Sequence, residues 1–274
     1  MNKKRIFITG GASGLGKAIA FKYAHAGYQV CIADINDQRG DETLTELKKI
    51  CPSALYLHCD ITKIKDLEWA KEQLIVHWSG VDIVVNNAGV GGNAGGIEDI
   101  TLDDWQWVLD INLLGVVRGC KAFTPLFKLQ GFGYFINIAS MAGLLNAPNM
   151  SNYNVAKAGV ISLSETLSME LAPSNVGISV VCPAFFKTNL TETLKTDDPK
   201  VIKSVNKLMN KSTLGADDIA NVIYQSVEQQ KFWILPHKTE RRLWLLKRYV
   251  PFLFHYIMKK HLARLGTNKP IKKI

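Results

Sequence analysis

The chain has 274 residues, 47% of them hydrophobic and 21% charged, with a formal net charge of +9. That balance excludes a disordered or membrane-embedded protein and leaves ample length for one large packed core. The charge is uneven: residues 231–274 hold twelve Lys/Arg and one acid, Glu240, for +11, so residues 1–230 carry −2.

The start, MNKKRIFITGG, is apolar only over Ile6–Ile8 before glycines intervene. That is too short for a signal-peptide core of about 7–15 residues, and RIFIT (5–9) reads as a first strand. Further strand patterns follow in QVCIAD (29–34), ALYLHC (54–59), VDIVVN (81–86), YFINIA (134–139), GISVVC (177–182) and KFWILP (231–236). Most are apolar on consecutive positions, as strands covered on both faces are. Helical patterns lie between them at 14–27, 38–50, 63–78, 101–128, 151–172 and 216–229, with Thr62 and Thr101 as start signals. This alternation predicts an α/β fold with a doubly wound parallel sheet, whose ligands bind beyond the carboxyl ends of the strands.

No run approaches the roughly 18 apolar residues of a spanning helix. The five cysteines are odd in number and lack a CxxC pair, which argues for reduced thiols in a cytoplasmic protein. The six histidines sit at unrelated spacings, so no metal site is expected.

Chemistry gathers at the strand ends. After the first strand, TGGASGLGKAIA offers Gly10, Ser13, Gly14, Leu15 and Gly16 as a turn opening a helix. There a pyrophosphate would meet free N–H groups and the positive end of the helix dipole. Asp34 closes the second strand, where a carboxylate can accept both ribose hydroxyls of an adenosine. It would repel a 2′-phosphate about 4 Å away by about 4 kcal/mol, roughly a thousandfold. NAD is therefore expected; NADP stays open because Lys17 and Arg39 lie close in sequence. Asp60 and Ile61 follow the third strand, where a side chain and an N–H could hold an adenine edge. Asn87, Ala88 and Gly89, in the run NNAG, follow the fourth and let the backbone run beside the cofactor.

In SNYNVAKAGV, Tyr153 and Lys157 stand four apart on one helical face. Together with the Thr9–Gly16 turn, Asp60, NNAG, Asn112 and Ser140, they resemble the short-chain dehydrogenase/reductase family over about residues 4–236. The resemblance implies a Rossmann-type seven-stranded parallel sheet, a homodimer or homotetramer, and nicotinamide-dependent alcohol oxidation or carbonyl reduction. A phenol has an ordinary pKa near 10. An ammonium about 4 Å away would favour the phenolate by about three pKa units, bringing Tyr153 close to neutrality as the general acid/base. Ser140 can donate to the substrate oxygen. By resemblance Lys157 also binds the nicotinamide ribose, Asn112 anchors a proton-relaying water, and Thr188 contacts the carboxamide. The family commonly shows Pro-Gly after the sixth strand, whereas this chain has Pro183-Ala184, so a different backbone geometry is expected beside the nicotinamide.

Met141, Leu144, Leu145, Met150, Phe185, Phe186 and Leu190 are the apolar residues expected around the substrate. They suit a hydrophobic secondary alcohol or ketone. Residues 190–214, within a substrate loop at about 184–214, are expected to form a lid. The chain thus reads as a dinucleotide-binding catalytic domain (1–236) with a basic amphipathic helical extension (237–274), which Pro251 should break in two. For that extension two readings stand open: peripheral contact with an anionic membrane, or packing on a partner subunit or over the pocket. Nucleic-acid binding lacks a recognition module. The rival functional readings are an NADPH-dependent carbonyl reductase and a cofactor-binding scaffold without turnover.

Overall fold

The computed structural model describes residues 3–186, 192–196, 203, 205, 207, 209, 210 and 212–264, the last four by backbone alone. The chain divides into two compact units, Met1–Pro236 and His237–Ile274.

In the first unit seven parallel strands form one sheet. They are β1 (Arg5–Thr9), β2 (Gln29–Asp34), β3 (Leu55–His58), β4 (Ile83–Asn86), β6 (Gly133–Ile138), β7 (Val176–Val181) and β9 (Trp233–Ile234). Their order is β3-β2-β1-β4-β6-β7-β9, so the strand order reverses beside β1, between β1 and β4. A parallel sheet opens its ligand crevice at such a point. Two short strands missed in the sequence, β5 (Gly92–Asn93) and β8 (Leu194–Lys195), pair separately.

Helices α1 (Gly14–His25), α2 (Asp37–Lys48), α3 (Ile64–Trp78), α4 (Leu102–Leu109), α5 (Gly115–Gln130), α6 (Ala142–Leu145), α7 (Ser151–Glu170) and α8 (Ala216–Glu228) flank the sheet. The consecutive apolar residues of each strand feed two different cores. Ile6 and Ile8 share a buried cluster with Ile19 of α1 and Ile219 and Ile223 of α8. Phe7 points the other way and meets Phe123 of α5, ring centroids 5.2 Å apart. Full burial of such side chains contributes about 1.5–3 kcal/mol each, and here it is drawn from both faces.

The single helix expected over 101–128 is broken. A π-helical turn, Asp110–Leu114, separates α4 from α5 and carries the fully buried Asn112. The extra residue in this turn re-aims a side chain that a regular helix would place elsewhere.

The second unit holds α9 (Lys238–Tyr249) and α10 (Pro251–Arg264), divided at Pro251 as expected. No described helix is long and apolar enough to cross a membrane.

Candidate active site

The ends of β1 and β4 are stitched into one platform. Thr9 Oγ1 accepts from the N–H groups of Asn87 (3.0 Å) and Ala88 (3.2 Å). Asn87 Nδ2 donates to the carbonyls of Thr9 (2.9 Å) and Gly10 (3.1 Å). The Asn87 amide therefore shapes the turn. A Cβ on Gly10 would stand 2.8 Å from Ala88 Cα, and one on Gly16 would stand 2.1 Å from the Gly10 carbonyl oxygen. Only glycine lets α1 begin so close to the turn.

Ser13 at the start of α1 makes no side-chain cap, and the first turn holds no acid. No acid of that turn neutralises the N–H groups at the helix start, which fits a pyrophosphate. Asp34 accepts from the N–H groups of Ala12 (3.1 Å) and Asn36 (3.1 Å), which hold its carboxylate against the glycine turn. Both bases near it are paired with acids: Lys17 with Glu46 at 3.0 Å and Arg39 with Glu192 at 2.9 Å. Asp60 accepts from the N–H (3.0 Å) and hydroxyl (2.7 Å) of Thr62 and lies 3.3 Å from Lys63 Nζ. Burial works to raise its pKa, but the hydrogen bonds from Thr62 and Lys63 prevail and hold it below the usual range. Its side chain thus shapes the entry to α3, while Ile61 is buried against Gly115.

Ser140, Tyr153, Lys157 and Asn112 converge at the carboxyl ends of β4 and β6. Tyr153 and Lys157 sit one turn apart on α7, 8% and 4% exposed. The Ser140 hydroxyl donates to the Pro183 carbonyl at 3.4 Å and accepts from the Ala142 N–H at 3.1 Å. Lys157 Nζ donates to the Ile138 carbonyl at 3.0 Å and lies 5.8 Å from the Tyr153 ring centroid. Asn112 clasps Val90 from both sides, donating to its carbonyl (2.9 Å) and accepting from its N–H (2.8 Å). This brings the chain after NNAG alongside α7. A Cβ on Gly89 would lie 2.7 Å from Asn112 Oδ1 and 3.7 Å from Lys157 Nζ.

The electrostatics correct one expectation. Burial pushes the Tyr153 phenol up to about 12, with the Ser140 hydrogen bond acting in the opposite direction. Burial also lowers Lys157 to about 8, opposed by the Cys182 thiol. The expected fall of Tyr153 towards neutrality therefore does not occur in the protein alone. Lys157 is aimed at a backbone carbonyl, and loss of water outweighs its charge at the ring.

The family model for short chain dehydrogenase matches residues 4–199. The chain belongs to the short-chain dehydrogenase/reductase family. It is similar to the CLA biosynthesis dehydrogenase/reductase of Lactiplantibacillus plantarum, 29% identical over 252 residues covering 85% of this chain and 88% of the relative. To the 3-alpha-(or 20-beta)-hydroxysteroid dehydrogenase of Mycobacterium bovis it is 33% identical over 194 residues, 71% of this chain and 73% of the relative. A short chain dehydrogenase/reductase from Burkholderia phymatum in complex with NAD matches with a TM-score of 0.86 at 28% identity. That match covers 92% of this chain and 95% of the other.

The departure from the usual dehydrogenase/reductase sequence at Ala184 is accommodated without strain, since Ala184 is not among the residues with positive φ. Pro183 remains tied to the site, its carbonyl accepting from the Met141 N–H at 2.9 Å. Thr188 and Leu190 lie outside the described residues, as does much of the segment expected to be a lid. Of the apolar candidates, Met141 is buried, Leu144, Leu145 and Met150 half-buried and Phe185 exposed. Phe186 is buried in the hydrophobic cluster that also holds Leu15 and Val181. Sequence reasoning missed Val90 and Ile138, which act through backbone atoms that no side-chain pattern advertises. It also missed Glu192 and Thr193; the latter's hydroxyl accepts from the Gly91 N–H at 2.8 Å.

Proposed function

We propose that this dehydrogenase/reductase uses NAD(H) to interconvert a hydrophobic secondary alcohol and its ketone, with Tyr153 as general acid/base. One observation carries the reading: a buried phenol under the influence of the Ser140 hydroxyl, one helical turn from a buried lysine, beside the crevice between β1 and β4. A bound nicotinamide dinucleotide supplies the hydride for reduction and accepts it in oxidation. The N–H groups around Ser13, Gly14, Leu15 and Gly16 hold its phosphates, and Asp34 its adenosine ribose. The pairing of Lys17 with Glu46 and of Arg39 with Glu192 supports NAD over NADP, because neither base is left to meet a 2′-phosphate.

Ser140 donates to the substrate oxygen and fixes it beside the phenol. Near neutrality the phenol, at about 12, is protonated and gives its proton to that oxygen in ketone reduction. Oxidation returns a proton to the phenolate. Lys157, at about 8, is mostly cationic near neutrality and favours that phenolate. Asn112 Oδ1 and Lys157 Nζ both approach Gly89, and there they would hold a proton-relaying water.

Met141, Leu145 and Phe185 support an apolar substrate. So does similarity to a hydroxysteroid dehydrogenase. Exposed Leu129 of α5 and Met169 of α7 support association of two or four copies, and five free buried cysteines support a reducing compartment. The test follows NADH oxidation with ketones of increasing apolar size. Turnover should climb from small polar ketones to long-chain or cyclic ones and be slower with NADPH. Equal use of polar ketones, or a preference for NADPH, contradicts the reading.

A further inference from the structure

On α10, Phe252, Leu253, Tyr256 and Ile257 are all exposed, Phe252 by 77% and Tyr256 by 64%. Positions i, i+1, i+4 and i+5 share one face of a helix. Phe254, further round the helix, is buried, so the helix has a covered apolar side and a second, bare one. Bases follow it on the same helix. Lys259 and Lys260 are exposed, with Lys260 Nζ 6.0 Å from the Tyr256 ring centroid. Arg241, Arg242 and Arg248 of α9 are exposed too, and Glu240 is the sole acid in residues 231–274.

We propose that this face of α10, with Lys259, Lys260 and the further exposed bases of the extension, docks on an anionic phospholipid bilayer. Charge decides between occupants. A second copy would bring another +11 extension against the first, and a nucleic acid would leave Leu253 and Ile257 in water. A bilayer with acidic headgroups accepts both the bases and the apolar side chains. The 14-residue helix is about 21 Å long, short of a hydrocarbon core of about 30 Å, so it lies along the surface. Tyr249 and Tyr256 suit that depth, each with an apolar ring and a polar tip. This inference stands independently of the catalytic reading.

Flotation of the full chain with vesicles of phosphatidylcholine alone, or mixed with phosphatidylglycerol, tests it. The protein should float with the mixed vesicles only and be released in about 1 M salt. Each base at the surface contributes about fivefold in affinity, so Lys259→Gln with Lys260→Gln should weaken binding about 25-fold. Phe252→Ser with Ile257→Ser should weaken it as well. Circular dichroism and an unchanged melting midpoint establish that both variants fold. Equal binding to neutral and mixed vesicles, no flotation, or wild-type flotation by both folded variants overturns the proposal. So does a vesicle-free assembly that these variants break apart, which would assign the face to a second copy.

Discussion

Lys157 Nζ lies 3.0 Å from the Ile138 carbonyl oxygen and 5.8 Å from the centre of the Tyr153 ring. The ammonium is thus held by the end of β6, and its charge lies over the phenol ring. Burial lowers the lysine to about 8, against an ordinary value of 10.5. Between those values the unfolded chain holds a proton that the folded chain lacks, so this group makes stability rise with pH. Lys157→Met removes the effect. In urea melts, the stability of that variant relative to wild type should fall by about 2 kcal/mol between about pH 7 and pH 10. A difference that does not change with pH would show that the lysine is well solvated.

Arg39 and Glu192 are 153 positions apart in sequence and 2.9 Å apart in space. The pair is half-exposed, so Glu192→Gln should change the NADPH to NADH ratio of kcat/KM by no more than about fivefold, upward. Asp34→Asn should raise it further, because it removes the carboxylate charge that would repel a 2′-phosphate. A larger effect from Glu192 than from Asp34 would reverse the assigned order of importance.

Asn112→Leu keeps the volume but abandons both bonds to Val90. Two backbone groups then lose their partners, at a cost of about 2–4 kcal/mol in a denaturant melt. An unperturbed midpoint would mean that the π-helical turn does not need its asparagine.

Gly89→Ala would place a methyl 2.7 Å from Asn112 Oδ1 and 3.7 Å from Lys157 Nζ. The variant should fold, as measured by circular dichroism, with kcat reduced about tenfold or more by loss of a positioned proton path. Wild-type turnover would exclude that route.

Much of the fold was legible because the sheet is covered on both sides. Ile6, Phe7 and Ile8 had to be consecutive and apolar, and β2 matches its expected span from Gln29 to Asp34. The π-helical turn was hidden, since Asp110–Leu114 continues a helical pattern and its asparagine bonds to distant Val90. The Gly92–Asn93 strand was hidden too, for it lacks the β-branched run that marks the others. Tyr153 and Lys157 were found by their spacing. Their titration was misjudged because the sequence gives the separation of two charges along a helix but not the depth at which both are buried.

The most direct measurement is the single-turnover rate of hydride transfer to a hydrophobic ketone in Tyr153→Phe, with NADH affinity followed in parallel. The phenyl ring fills the same buried space, so the account predicts NADH affinity within about twofold and a rate about a hundred- to ten-thousandfold lower. An unchanged rate would contradict it.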